Sequence, residues 1–150
     1  TAVWRSDALE LLPDDPRVAE LAKGVRTLAE LLVDDEQWTA PDLSGTTIVA
    51  QPHCHHASVL GWEADAAVLK RTGADVVTLG GCCGLAGNFG VEQGHYEMSL
   101  AVAENELLPA LREAGPDALV LADGFSCRKQ VTDLTELNAL SLAELLRPKP

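Results

Sequence analysis

The residues of this chain best suited to chemistry are its four cysteines, Cys54, Cys82, Cys83 and Cys127. A thiolate is a nucleophile, a redox group and a soft metal ligand, and what it can do depends on whether others stand beside it. A single free Cys more often behaves as a small buried hydrophobe. Here the neighbours are unusual. Cys54 lies among His53, His55 and His56, Cys82 and Cys83 are adjacent within GGCCGLAGNFG (Gly80–Gly90), and Cys127 lies in GFSCR (Gly124–Arg128). Gly81, Gly84 and Gly87 permit positive φ and close backbone approach, so that amide N–H groups can point at sulfur. They are candidate cofactor-binding positions beside four candidate metal ligands. Structural zinc sites usually pair cysteines two to four residues apart, and an adjacent pair grips one tetrahedral ion poorly. Neighbouring thiolates can bind different irons of an iron–sulfur cluster. Three thiolates with one histidine remain a workable zinc site, and His53, His55, His56 and His95 are at hand. For each of them a loop histidine bonded to backbone is the ordinary alternative.

Two rival motifs fit less well. A phosphate-binding loop is also glycine-rich, but Gly84, Gly87 and Gly90 miss the GxGxxG spacing and no Walker lysine follows. GFSCR resembles a nucleophile elbow only until Arg128, which stands where GxSxG requires its second glycine. Asp123, Glu97 and Arg128 are the remaining polar residues near these loops. Arg128 can lower a thiolate pKa, although a surface ion pair is its commoner use. Trp4, Trp38 and Trp62 are dispersed and read as packing residues.

The elements that must position the cysteines follow from periodicity. Three short apolar runs, Thr46–Ala50, Asp75–Leu79 and Ala118–Ala122, read as strands, each followed by a small or cysteine-bearing loop and a helical pattern. Val59–Thr72 closes at Gly73, and Val91–Ala114 closes at Gly115 with Pro109 expected to kink or split it. Alternating strand and helix predicts a small parallel α/β sheet of three to four strands, with a possible fourth near Ala139 and helices on both faces. Runs such as Val76, Val77 and Leu79 suit strands covered on both sides. Cys54, Cys82–Cys83 and Cys127 then follow the carboxyl ends of successive strands, near helix starts, where open parallel sheets build their sites. Upstream, Asp15 caps a helix begun by Pro16. Val18, Leu21, Ala22, Val25, Leu28, Ala29 and Leu32 continue it as one amphipathic helix. Asp34–Glu36 reads as a solvated connector, Pro41–Gly45 as a turn, and Ser141 with Glu144 as a capping box for a last helix.

Composition bounds the classes of function. The chain has 150 residues, 47% of them hydrophobic, which suits one ordinary domain. Eleven Lys and Arg against 23 Asp and Glu give a formal charge of −12, with no basic face for nucleic acid. No apolar run approaches the roughly 18 residues of a membrane span. Four cysteines, two of them adjacent, make a poor disulfide scaffold, and no signal peptide is present, so reduced thiols and a cytoplasmic setting are expected. The chain opens at Thr1 without Met and reads as an excised fragment.

HCHH (His53–His56), GGCCGLAGNFG, GHYEMS (Gly94–Ser99) and ADGFSCRKQ (Ala122–Gln130) together resemble the cysteine-rich CCG domain. That domain occurs in heterodisulfide reductases, in the iron–sulfur component of glycolate oxidase and in lactate-utilisation proteins. The fullest match is to the C-terminal end of fused FAD-linked oxidoreductases that combine a flavin domain, a ferredoxin-like segment and two CCG halves. The resemblance covers essentially the whole chain. It implies a helical lead-in from the preceding CCG half at residues 1–40 and the CCG α/β domain at 41–150. It further implies that Cys54, Cys82, Cys83 and Cys127 ligate a 4Fe-4S cluster, or zinc in some relatives. The domain would pass electrons from reduced FAD, bound outside this chain, in a dehydrogenase of small D-2-hydroxy acids such as lactate, glycolate or 2-hydroxyglutarate. The preceding half, the ferredoxin-like segment and the flavin domain would be its partners, and it would not be catalytic alone. The sequence departs from the fuller pattern after Cys127, where Arg128, Lys129 and Gln130 replace a CxxC ending. The resemblance therefore implies an ordinary four-iron cluster, zinc, or a site completed from the missing half. The alternatives are a zinc-stabilised docking domain without a redox role and a thiol-redox protein using the vicinal pair, whose disulfide would close a strained ring.

Overall fold

Short β-branched runs bounded by turns form the centre of the computed structural model, which describes residues 1–147; the last three residues of the expected 41–150 unit lie outside it. Strands β1 (Thr47–Ala50), β2 (Asp75–Thr78), β3 (Leu119–Leu121) and β4 (Ala139–Leu140) form one sheet in the order β2-β1-β3-β4. Every pairing is parallel, with Val49 opposite Val77 on one side and Val120 on the other. This is the expected small parallel α/β sheet, including the fourth strand at Ala139. The chain moves from β1 outward to β2 and then across to β3, so the strand order reverses beside β1. In open parallel sheets that reversal opens a crevice at the carboxyl edge.

Helices cover both faces. On one, Val49 and Val120 pack with Leu107 and Leu111 of α7 (Leu107–Ala114) and with Cys127 and Val131 of α8 (Phe125–Leu134). On the other, Ile48, Ala50 and Leu121 pack with Ala29 of α3 (Leu28–Asp34), with Val68 and Leu69 of α5 (Glu63–Arg71), and with Leu142 and Leu145 of α9 (Leu142–Leu145). Side chains alternate across each strand, which is why adjacent residues of β1 serve opposite cores. β2 departs from expectation. It is an edge strand with Val77 exposed, because order within the sheet, which periodicity cannot supply, left it without a second neighbour.

The helices are shorter than their apolar patterns imply. The single helix expected from Pro16 to Leu32 is two: α2 (Pro16–Gly24), begun by the Asp15 cap and Pro16, and α3. Thr27 and Glu30 form a capping box that starts a new helix, overriding the continuous three-four spacing. α2 buries nothing, whereas α3 seals the lower core through Ala29. Val59–Thr72 is likewise divided. α4 (Cys54–Val59) ends before Gly61, whose φ of +83° turns the chain into α5. Val91–Ala114 becomes α6 (Tyr96–Ala103) and α7, and the break falls at residues 104–106 rather than at Pro109. Pro109 sits in the first turn of α7, where its missing N–H costs nothing, and its ring excludes a continuous helix immediately upstream. Trp38 and Trp62 pack against the core as expected, but Trp4 is 54% exposed.

Residues 1–34 are tied to the rest by polar links as well as by Ala29. Arg5 donates to Glu30 at 2.6 Å, and Arg71 donates to the carbonyls of Leu32 and Val33. Burial opposes ionisation of Glu30, but Arg5, the Thr27 N–H and Arg26 outweigh it and hold its carboxyl below its usual pKa of 4.5. The folded state therefore gains stability from Glu30 above that value and loses it as pH falls through the lowered one. Melting curves of the wild type and Glu30→Gln should differ near neutrality and converge in acid. Thr27→Ala, which removes the cap at the start of α3, should cost about 1 kcal/mol in denaturant unfolding.

Candidate thiol site

All four cysteines lie at the carboxyl edge of the sheet. Cys54 follows β1 as the first residue of α4, Cys82 and Cys83 follow β2, and Cys127 follows β3 in the first turn of α8. They flank the point where strand order reverses. The expectation that each opens a helix holds for Cys54 and Cys127. It fails for the vicinal pair, which enters a loop running to a 3-10 turn at Phe89–Val91, because the glycines of that segment favour positive φ over helix. All four thiols are free; Cys54 is exposed, Cys82 half-buried, and Cys83 and Cys127 buried.

The ionisation of Cys54 responds to Cys82, and that of Cys83 responds to Cys127 and Cys82. The neighbouring Cys127 thiol lowers the Cys83 pKa to about 6 against the penalty of burial, with help from the N–H groups of Leu85 and Ala86. Cys83 in turn raises Cys127, with burial adding to it, so of the two Cys83 gives up its proton more readily. Burial and Cys82 raise Cys54. The Gly84 N–H donates to Cys82 Sγ at 3.3 Å. Amides at positions 84 to 86 thus turn toward the two vicinal sulfurs. Such a curl requires unusual backbone, and Gly84 (φ +95°), Ala86 (φ +47°) and Gly87 (φ +73°) all provide it. Gly84 also lies so close to the Ser99 carbonyl and the Ala103 amide that a side chain there would overlap α6.

The loop is secured by residues the spacing of cysteines does not reveal. Ser126 Oγ accepts from Gly87 N–H at 3.1 Å, tying the loop to α8 one residue before Cys127. Gln130 of α8 donates to Ser99 Oγ at 3.0 Å beneath Gly84. Glu106 and Gln51 hold the Gly81 peptide, with the Gly80 N–H donating to Glu106 Oε1 at 3.0 Å. Polar residues buried without an evident partner in sequence, above all Gln51 directly after β1, were the available signal.

The histidines serve other purposes. His95 stacks on Phe89 at 4.1 Å, with Nδ1 beside the Phe89 carbonyl at 3.2 Å. His55 lies near Asp7 at 3.6 Å, and His53 packs against Gly124. His56 Nε2 approaches Asp65 at 3.3 Å without hydrogen-bond geometry. These three histidines, with Asp65, Asp123, Gly124 and Phe125, help line a cavity of about 880 Å³ shared with the N-terminal residues, and no cysteine lines it. Asp123 accepts from the Leu142 N–H at 3.0 Å at the start of α9, and burial raises its pKa. Arg128 pairs with Glu144 at 3.3 Å on the surface and takes no part in the thiol contacts.

As donors, four thiols on one edge, one of them with a lowered pKa and cupped by amides, suit a soft, thiolate-preferring metal or cluster. Among the described residues no three His, Cys, Asp or Glu side chains are grouped, as they stand, around one point that could hold a metal ion. Among the described residues no helix is long and apolar enough to cross a membrane.

No family model matches the chain, and no solved structure matches it. Curated proteins do. The chain is 36% identical over 85 residues to a D-2-hydroxyglutarate dehydrogenase of Pantoea ananatis, 38% over 81 residues to one of Pseudomonas putida, and 39% over 82 residues to one of Escherichia coli. In each case the match takes in 53% of this chain and 8% of the relative. A region amounting to about half of this chain is therefore homologous to a short part of much longer D-2-hydroxyglutarate dehydrogenases.

Proposed function

We propose that the protein is a cluster-binding, electron-transfer domain of an FAD-dependent dehydrogenase acting on a small D-2-hydroxy acid, with 2-hydroxyglutarate the substrate its homology favours. The observation that carries the reading is the meeting of Cys54, Cys82, Cys83 and Cys127 at one sheet edge. These four would hold a 4Fe-4S cluster. All four would bind as thiolates, and the lowered pKa of Cys83 favours that form. When bound, the cluster supplies a one-electron relay. The amides of Gly84, Leu85 and Ala86 would stabilise charge on the vicinal sulfurs. Burial of Cys83 and Cys127 would keep water from that side. Among the described residues no positioned pair of acid and base stands at the thiols, and oxidation of the hydroxy acid would belong to the flavin domain. That domain, a ferredoxin-like segment and a preceding CCG half would be covalent partners in a cytoplasmic enzyme.

The test is iron, acid-labile sulfide and zinc content of anaerobically purified protein, read with its visible absorbance. Iron with matching sulfide and a brown colour is expected. Stoichiometric zinc without colour would replace the electron-transfer reading with a structural one, because zinc has no redox chemistry.

A further inference from the structure

The Gly81 peptide, adjoining the vicinal cysteines, is gripped on both sides by side chains distant in sequence. The Gly80 N–H donates to Glu106 Oε1 at 3.0 Å, and the Gly81 N–H donates to Oε2 of the same carboxylate. From the opposite side Gln51 Nε2 donates to the Gly81 carbonyl at 2.9 Å and to the Pro52 carbonyl at 3.2 Å. Neither side chain has another evident task. Glu106 occupies the position that precedes α7 yet caps nothing in that helix. Gln51 is 1% exposed, and its Oε1 has no partner, so its burial is compensated only through the carbonyls of Pro52 and Gly81. The fit also needs glycine: a Cβ at Gly81 would lie 2.5 Å from Glu106 Oε2. A carboxylate bonded to two successive amides fixes the plane of the peptide, and the next residue in the chain is Cys82.

We infer that Glu106 and Gln51 are positioning residues for the vicinal thiols, clamping the Gly81 peptide between α7 and the end of β1 so that Cys82 and Cys83 face Cys54 and Cys127. The inference rests on the metal-binding reading above. Groups that orient ligands usually change metal affinity by about 10–100-fold when removed. Through its bonds to the Gly80 and Gly81 amides the Glu106 carboxylate also stands close to Cys82, where a negative charge would disfavour adding an electron to a cluster held by these cysteines.

The experiment compares wild type with Glu106→Ala, Glu106→Gln, Gln51→Leu and Cys82→Ser. Leu69→Ala serves as a core variant that loosens the fold on the opposite face of the sheet, away from the cysteines. Each is reconstituted with iron and sulfide, titrated with zinc ion against a chelator, and melted without metal. Glu106→Ala and Gln51→Leu should bind either probe about tenfold or more weakly. Glu106→Gln, which keeps the shape and loses the charge, should retain part of the loading with a raised reduction potential. Leu69→Ala should melt earlier and load fully. Wild-type loading in Glu106→Ala and Gln51→Leu, with loading lost in Cys82→Ser, would overturn the positioning role and leave the thiol site standing. Loss of loading that merely follows melting temperature, Leu69→Ala included, would also overturn it. A wild type that takes up neither probe would remove both readings.

Discussion

Cys54→Ser and Cys82→Ser should each reduce iron and sulfide to background while leaving the metal-free protein as stable as wild type. Cys83→Ser and Cys127→Ser should lose the metal and stability together. The difference comes from where the sulfurs sit. Cys54 is exposed and Cys82 half-buried, so a hydroxyl at either position remains solvated. Cys83 and Cys127 are 2% and 1% exposed and belong to the core that joins the sheet to α7 and α8. A hydroxyl buried there without a good partner should cost roughly 1–3 kcal/mol. Metal analysis and urea unfolding on the same preparations check both halves. Full loading in any of the four variants would remove that cysteine from the ligand set. An equal stability loss in all four would contradict the division between solvent-facing and core sulfurs.

Gly84→Ala should be among the most damaging single-methyl changes in the protein, and Gly87→Ala provides its control. Both glycines have positive φ, +95° and +73°, which an alanine adopts at a cost of about 1–2 kcal/mol. Around Gly87 an added Cβ meets nothing within 4 Å, so the conformational term stands alone. Around Gly84 it would overlap the carbonyl of Ser99 and press on the Ala103 amide and the Gln130 side chain. The first two are backbone of α6 and cannot rotate away. Overpacking of this kind adds about 1–3 kcal/mol, for a total of roughly 2–5 kcal/mol in unfolding free energy. Because the Gly84 amide points at Cys82 Sγ, the shift should also disturb the vicinal pair. Thiol alkylation rates of the metal-free variants should therefore change in Gly84→Ala and stay close to wild type in Gly87→Ala. Similar stabilities for the two would show that α6 yields.

Much of this arrangement is written locally. The strands at Thr47, Asp75, Leu119 and Ala139 announce themselves as short apolar runs between turns, and alternation with helical segments makes a parallel sheet the economical solution. Parallel connectivity alone puts the loops after β1, β2 and β3 on one edge, so residues 28 and 44 positions apart in the chain come together at Cys54, Cys82, Cys83 and Cys127. The HCHH, CCG and GFSCR segments are also legible in sequence alone, and so is the homology of about half the chain to a short part of D-2-hydroxyglutarate dehydrogenases. Capping signals at Asp15 and Ser141 worked for the same reason: they depend on residues within one turn.

Other features depended on contacts between distant segments. Apolar spacing ran through Val25 and Leu28, yet Thr27 and Glu30 began a new helix there, because a satisfied cap outcompeted periodicity once α3 had a core to cover. β2 looked as buried as β1, but only strand order decides which run lies at an edge. The split of the thiols into solvent-facing and core members, the opposite pKa shifts of Cys83 and Cys127, and the grip of Glu106 and Gln51 on Gly81 all arise where three strands and two helices meet. Sequence alone determined which residues could serve as ligands and on which edge they gather, since strand direction follows from local pattern. Tertiary structure alone decided how those residues are charged, buried and braced, because desolvation and hydrogen bonding depend on neighbours that folding brings from elsewhere in the chain.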